Sequence, residues 1–158
     1  MSECKTCSVF GHRKINITKE IEEKLYFIFE ELIKNGCEIF YFGGFGEFDE
    51  LCHEVITKLK ETYTQIKRIY CLSDRRHLKL SKRPCWLKNE DYEEFIYIDL
   101  DFDWWYQRLY YRNCAIIDKS DVVIFYVEKR EDSGAYKAYK HANRKKKTIF
   151  NIYENVYR

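Results

Sequence analysis

Apolar and polar positions alternate along this chain in two rhythms. Short apolar runs at residues 6–10, 39–42, 66–72, 95–100, 121–127 and 148–153 read as strands, while the stretches between them include segments with a helical period of 3.6. Over residues 18–35, Ile21, Leu25, Ile28, Phe29, Leu32 and Ile33 share one face; Asn16 or Thr18 can cap its start, and Gly36 stands in the C′ position. Residues 48–63 turn Leu51, Val55, Ile56 and Leu59 inward, and further helices are expected over 104–119 and from a turn at 131–134 through 146. Residues 73–94 are polar, contain the single proline Pro84 and read as a long connection carrying Trp86; the 95–100 strand is expected at a sheet edge. Short apolar strands separated by amphipathic helices imply right-handed βαβ crossovers. The expected fold class is therefore α/β, a three-layer Rossmann-like and mostly parallel sheet flanked by helices. The 158 residues show no internal repeat or linker, and residues 1–158 are expected to form one domain.

The most informative segment is 38–50. The apolar run 39–42 stops at Gly43-Gly44-Phe45-Gly46 and a helical pattern starts at once, so three of the six glycines fall within four residues. Glycine admits positive φ and a close approach to the backbone, and the following helix turns free N–H groups toward the bend. A phosphate-bearing ligand is the expectation. Open parallel sheets collect ligands beyond the carboxyl ends of their strands, and two further segments fall at such ends: Gly11-His12-Arg13 and Asp132-Ser133-Gly134-Ala135.

Composition narrows the chemistry. The chain is 46% apolar and 34% charged, as for a soluble globular protein, and its 18% aromatic content suits a core, a stacking surface or an oligomer interface. A homo-oligomer is therefore left open. A net charge of +2 gives no argument for nucleic acid, which is not expected as a partner. No apolar run approaches the roughly 18 residues of a membrane span, no signal-like segment opens the chain, and the seven cysteines are odd in number and scattered. A cytoplasmic location is expected, with Cys37, Cys52, Cys71 and Cys114 as buried thiols. Cys4-x-x-Cys7 lacks a second pair at zinc spacing and Cys85 stands alone, so neither a metal nor a cofactor is expected. The basic run 144–147 is a helix end, where cations favour the dipole.

The candidate ligand-binding residues are Gly11, His12, Arg13, Gly43, Gly44, Gly46, Asp49, Arg112, Asn113, Ser133 and Gly134. Arg13 can neutralise a phosphate. His12 is either a donor or base near neutral pH or an ordinary turn residue. Glu47 is read as a helix-dipole acid, whereas Asp49 and Glu50 are divided between that role and holding ribose or protonating a leaving base. Arg112 can reach over the pocket, Asn113 can read a base or ribose, and Ser133 and Gly134 can offer N–H groups to a second anion. Trp104 and Trp105 can stack on a purine, with at least one expected in the core.

Together these landmarks resemble the SLOG superfamily, which joins DprA-type proteins to the LOG nucleotide hydrolases, and in particular its stand-alone YpsA-like branch from low-GC Gram-positive bacteria and their phages. The carrying residues are the 7–13 run ending in Gly11-His12-Arg13, the 40–49 run around Gly43-Gly44-Phe45-Gly46, Arg112-Asn113, Ser120-Asp121 with its apolar strand, Ser133-Gly134-Ala135 and the closing 148–152 strand. The resemblance implies binding of a nucleotide or nucleotide-derived ligand, as a sensor or sequestering protein. The LOG branch instead cleaves the N-glycosidic bond of a nucleoside monophosphate, using a Glu in Pro-Gly-Gly-x-Gly-Thr-x-x-Glu and an upstream Arg. By letters, that acid position falls on Glu50, with Glu47 replacing Thr. By chain order, the Arg matches Arg112 and the acid position falls on Ala138. Chain order is preferred, which removes the equivalent Glu. Ligand binding is thus the first reading, an N-glycosidase using Glu50 or Asp49 the second, and a protein-interaction module the third.

Overall fold

The computed structural model describes residues 4–43, 46–100 and 104–157. Strand β1 (Thr6–Gly11) leads to helix α1 (Lys19–Lys34), β2 (Ile39–Phe42), α2 (Glu47–Thr62) and β3 (Lys67–Leu72). Three 3-10 turns, Arg75–Leu78, Leu80–Lys82 and Asn89–Asp91, fill the polar connection before β4 (Glu94–Tyr97). Then come α3 (Trp105–Lys119), β5 (Val122–Tyr126), α4 (Gly134–Arg144), β6 (Thr148–Asn151) and α5 (Ile152–Tyr157). The strands form one sheet in the order β4-β3-β2-β1-β5-β6, and every pairing is parallel. The fold class expected from the sequence is the one observed, with β4 at an edge. Among the described residues no helix is long and apolar enough to cross a membrane.

Local chemistry sets the element ends. Thr18 caps α1, its hydroxyl accepting from Ile21 N at 3.2 Å. At the other end Gly36 adopts φ +106°, Cys37 N–H donates to Leu32 O and Gly36 N–H to Ile33 O, the paired bonds of a Schellman ending. The long connection is tied down by buried Arg68, which donates to both Glu93 carboxylate oxygens, Thr57 Oγ1 and Glu90 O.

Two hydrophobic layers sandwich the sheet. One joins α1 and α2 to the sheet through residues such as Leu25, Phe29, Phe40, Val55 and Ile124. The other joins α3 and α4 through Ile116, Ile117, Val123, Phe125, Ala138 and Ala142. The last strand is shorter than its apolar pattern. Asn151 stops it: its Oδ1 accepts from Val127 N at 3.1 Å and Tyr153 N at 3.3 Å, while its Nδ2 donates to Val127 O at 2.9 Å. The side chain thereby ties the end of β5 to the start of α5.

Candidate functional site

Strand order sets the site's position. The chain builds outward from β1 through β2, β3 and β4, then returns to the opposite side of β1 with β5 and β6. The loops after β1 and β5 therefore part in opposite directions, and such a switch point opens a crevice at the carboxyl ends. A cavity of about 630 Å³ lies there, within the roughly 300–1,000 Å³ of small-molecule sites.

Its floor and one wall come from Phe10, Gly11, His12, Arg13 and Lys14, its opposite wall from Ser133, Gly134 and Ala135 at the start of α4. Helix α3 closes it with Trp105, Tyr106, Tyr110, Arg112 and Asn113, and Asp49 enters from α2. Eight of the eleven ligand-binding candidates thus meet in one cavity. Gly44 lies outside the described residues.

Gly43 and Gly46 are close by but face protein. A Cβ on Gly43 would stand 3.2 Å from both Arg112 Cζ and Cys71 O, so its bare backbone makes room for the buried guanidinium. Gly46 has φ +126°, and a Cβ there would meet Arg13 Cα at 2.5 Å. The same junction is held by Glu47, whose N–H donates to Arg13 O at 2.8 Å and whose Oε2 accepts from Ile15 N at 2.8 Å. Glu47 is structural, as expected, though through the preceding loop rather than the helix dipole alone. Gly11 also lines the cavity while leaving space for Phe48, whose ring would lie 2.4 Å from an added Cβ.

Two buried ionisable groups define the electrostatics. Arg112 is only 3% exposed; it donates to Cys71 O at 3.3 Å and Asn113 Oδ1 at 2.9 Å, and its Nε has no partner among the described residues. Asp49 is buried, and its Oδ1 has no partner among the described residues. Burial pushes its carboxyl up to about 7 against the attraction of Arg112, with Glu50 adding a smaller push. A carboxyl half-protonated near neutrality can donate or accept a proton. Glu50, the next residue, is exposed and does not line the cavity. Ala138 does line it, buried, at the position where chain order places the hydrolase acid.

His12 links the two walls. Its backbone N–H donates to Tyr126 O, its Nε2 accepts from Glu128 N at 3.0 Å, and its Nδ1 lies 3.3 Å from Ser133 Oγ. Burial lowers its pKa, Arg130 adding to the effect. Ser133 in turn caps α4, accepting from Tyr136 N at 3.2 Å.

Lys14, Arg130 and Lys137, which the sequence did not single out, put exposed cations at the rim, Arg130 paired with Glu128, and Asp132, in the segment it did single out, adds an exposed carboxyl. Their only sequence signal is their place just after a strand end or in the first turn of a helix. Trp104 and Trp105 are 67% and 47% exposed, which corrects the expectation that one is in the core. Their helix starts at the cavity mouth, and the Trp105 ring stacks on Tyr106 with centroids 3.9 Å apart. Ser120-Asp121 lies at the amino ends of the strands, away from the cavity. There Ser120 and Ser8 share a 2.8 Å hydrogen bond, and Asp121 Oδ2 accepts from Lys5 N at 2.8 Å, holding β5 against β1.

No family model and no curated protein matches the chain. Among solved structures, a similar fold is found in DNA processing protein A from Helicobacter pylori, in a structure concerned with that protein's single-stranded DNA binding mode. The TM-score is 0.59 and the identity 18%; the match covers 94% of this chain and 65% of that one. At that identity the likeness is one of fold. It nevertheless corrects the expectation that nucleic acid is not a partner. A DNA-binding protein has this architecture, and a net charge of +2 averages over a surface whose cavity rim carries Arg13, Lys14, Arg130 and Lys137.

Proposed function

We propose that the chain binds a phosphate-bearing nucleotide or nucleotide-derived molecule in the cavity between the β1 and β5 loops. One observation carries the reading. Arg112 buries a guanidinium in the cavity wall, and among the described residues no ion pair compensates it. Its hydrogen bonds go to the neutral oxygens of Cys71 and Asn113, and the Asp49 carboxyl that attracts it is held partly protonated by burial, so an anionic ligand offsets desolvation that these groups compensate only in part. Arg13 and the start of α4 add donors, and Trp105, Tyr106 and Tyr110 form an aromatic wall suited to a base. The sequence motifs support a place in the SLOG group and its stand-alone YpsA-like branch, with a sensing or sequestering role.

Single-stranded DNA is the second reading, favoured by the fold shared with DNA processing protein A. The test uses the Gly134→Val variant, because a Cβ at Gly134 meets nothing within 4 Å and the side chain grows into open space. Protein is incubated with AMP, NAD, ADP-ribose, cyclic nucleotides and a thymidine oligonucleotide, and bound and free material are identified by mass spectrometry. A mononucleotide or dinucleotide retained intact by the native chain and lost in the variant is the expected result. Retention of the oligonucleotide alone selects the second reading, and release of free base with ribose phosphate makes the protein a hydrolase with Asp49 as its candidate acid. Retention of nothing refutes the proposal.

A further inference from the structure

The connection between β3 and the edge strand β4 carries chemistry that the cavity does not use. Residues 73–88 hold six Lys or Arg and a single acid, Asp74, a net charge of +5 against +2 for the whole chain. Asp74 is engaged by Arg76, whose Nη2 donates to its Oδ2 at 2.7 Å, and of the acids that follow, Glu93 is held by Arg68. Arg75, Lys79, Lys82 and Lys88 are exposed and, among the described residues, have no acidic partner. Among these cations Leu78, Leu80 and Trp86 are 46%, 65% and 52% exposed. Arg83 ties the loop together: it donates to His77 O at 3.0 Å, to Leu78 O at 3.3 Å and to Asn89 Oδ1, with its guanidinium 3.9 Å from the Phe95 ring centroid. A cation thus folds back onto the loop while two leucines face water, the reverse of the usual partition.

We propose that this loop is a peripheral docking surface for an anionic lipid membrane, its two leucines and Trp86 entering the interface and its free cations facing the headgroups. The occupant follows from charge and aliphatic surface occurring together. Lysine and arginine are drawn to a negatively charged leaflet. Leu78 and Leu80 gain by leaving water for the acyl boundary, and a tryptophan ring suits the headgroup level, apolar over its body and polar at its N–H. A nucleic acid would satisfy the cations equally well. It presents phosphates and base faces, however, and a leucine can neither pair with the first nor stack on the second as an aromatic ring does. None of these residues lines the cavity, so the inference stands apart from the nucleotide reading.

Co-sedimentation tests it, with vesicles of phosphatidylcholine alone and of an equal mixture with phosphatidylserine, at low and at physiological salt. The native chain is expected to bind the mixed vesicles only, and more weakly at the higher salt. Lys79→Gln combined with Lys82→Gln should weaken that binding at least about 20-fold, near fivefold for each charge removed. Leu78→Ser combined with Leu80→Ser should weaken it at least about tenfold. All four side chains are exposed, so both variants are expected to melt with the native chain; the single variants Leu80→Ser and Lys88→Gln repeat the comparison should a pair melt lower. Binding to neither vesicle, or equally to both, overturns the inference. So does a leucine variant that binds like the native chain, which would leave a contact of charge alone. A thymidine oligonucleotide that the native chain binds and the lysine variant loses, with no vesicle binding, assigns the surface to nucleic acid and overturns it too.

Discussion

Replacing Asp49 by asparagine removes a carboxyl that the fold holds away from water. Its Oδ1 has no hydrogen-bond partner among the described residues, and burial outweighs Arg112 to lift its pKa from 3.8 to about 7. Each pKa unit is worth about 1.4 kcal/mol, so ionising Asp49 costs roughly 4 kcal/mol more in the folded protein than in the unfolded chain. The sign follows from which state holds the proton. The unfolded chain releases it first, so the contribution is fully present below pH 3.8 and is lost as pH rises through about 7. Asparagine has no proton to lose, and the other titrating groups cancel in the difference between the two proteins. Stability of Asp49→Asn relative to the native chain should therefore climb by up to roughly 4 kcal/mol between about pH 4 and pH 8, at about 1.4 kcal/mol per pH unit where the slope is steepest. Urea denaturation across this range, with unchanged m-values, measures it. A difference that stays flat with pH refutes dominant burial. A difference that moves toward the native chain shows that Arg112 stabilises the carboxylate instead.

Gly46→Ala places a Cβ 2.5 Å from Arg13 Cα at φ +126°; denaturation should show a loss of at least about 2 kcal/mol, while Gly134→Ala lowers stability not at all. The His12 ring should titrate below its usual 6.5 in an NMR pH series. Because the unfolded chain takes up that proton first, His12's contribution is present above pH 6.5 and lost as pH falls through the lower folded value, and His12→Asn removes this dependence. Asn151→Ala deletes the side chain that bridges Val127 and Tyr153; it should cost about 1–3 kcal/mol and speed exchange of the Val127 amide. A thiol reagent should label Cys85 alone in the native protein, since the other six cysteines are buried, and all seven after unfolding.

Much of the architecture is legible in the sequence, because periodicity records how each backbone segment divides between core and water. The 3.6-residue stripe of α1, its Thr18 cap and the positive-φ Gly36 are local features, and they appear where the residues indicate. The apolar strands separated by helices imply parallel pairing, and parallel pairing gathers Gly11-His12-Arg13 and Ser133-Gly134 at one end of the sheet. What the residues leave undecided is set by contacts between distant parts of the chain. The strand order, with its switch between β1 and β5, depends on which apolar faces meet, and no single segment encodes that. Asp49 and Glu50 look equivalent in a helical first turn, yet one step around α2 buries the first within electrostatic reach of Arg112 and leaves the second in water. The glycine bend reads as ligand space, but the backbone of Arg13 fills the space over Gly46 and the Arg112 side chain approaches Gly43. Net charge, a sum over the whole chain, likewise says nothing of the cations at one rim. Local propensity is written residue by residue, whereas burial of a charge and the place of a cavity are properties of neighbours that only folding brings together.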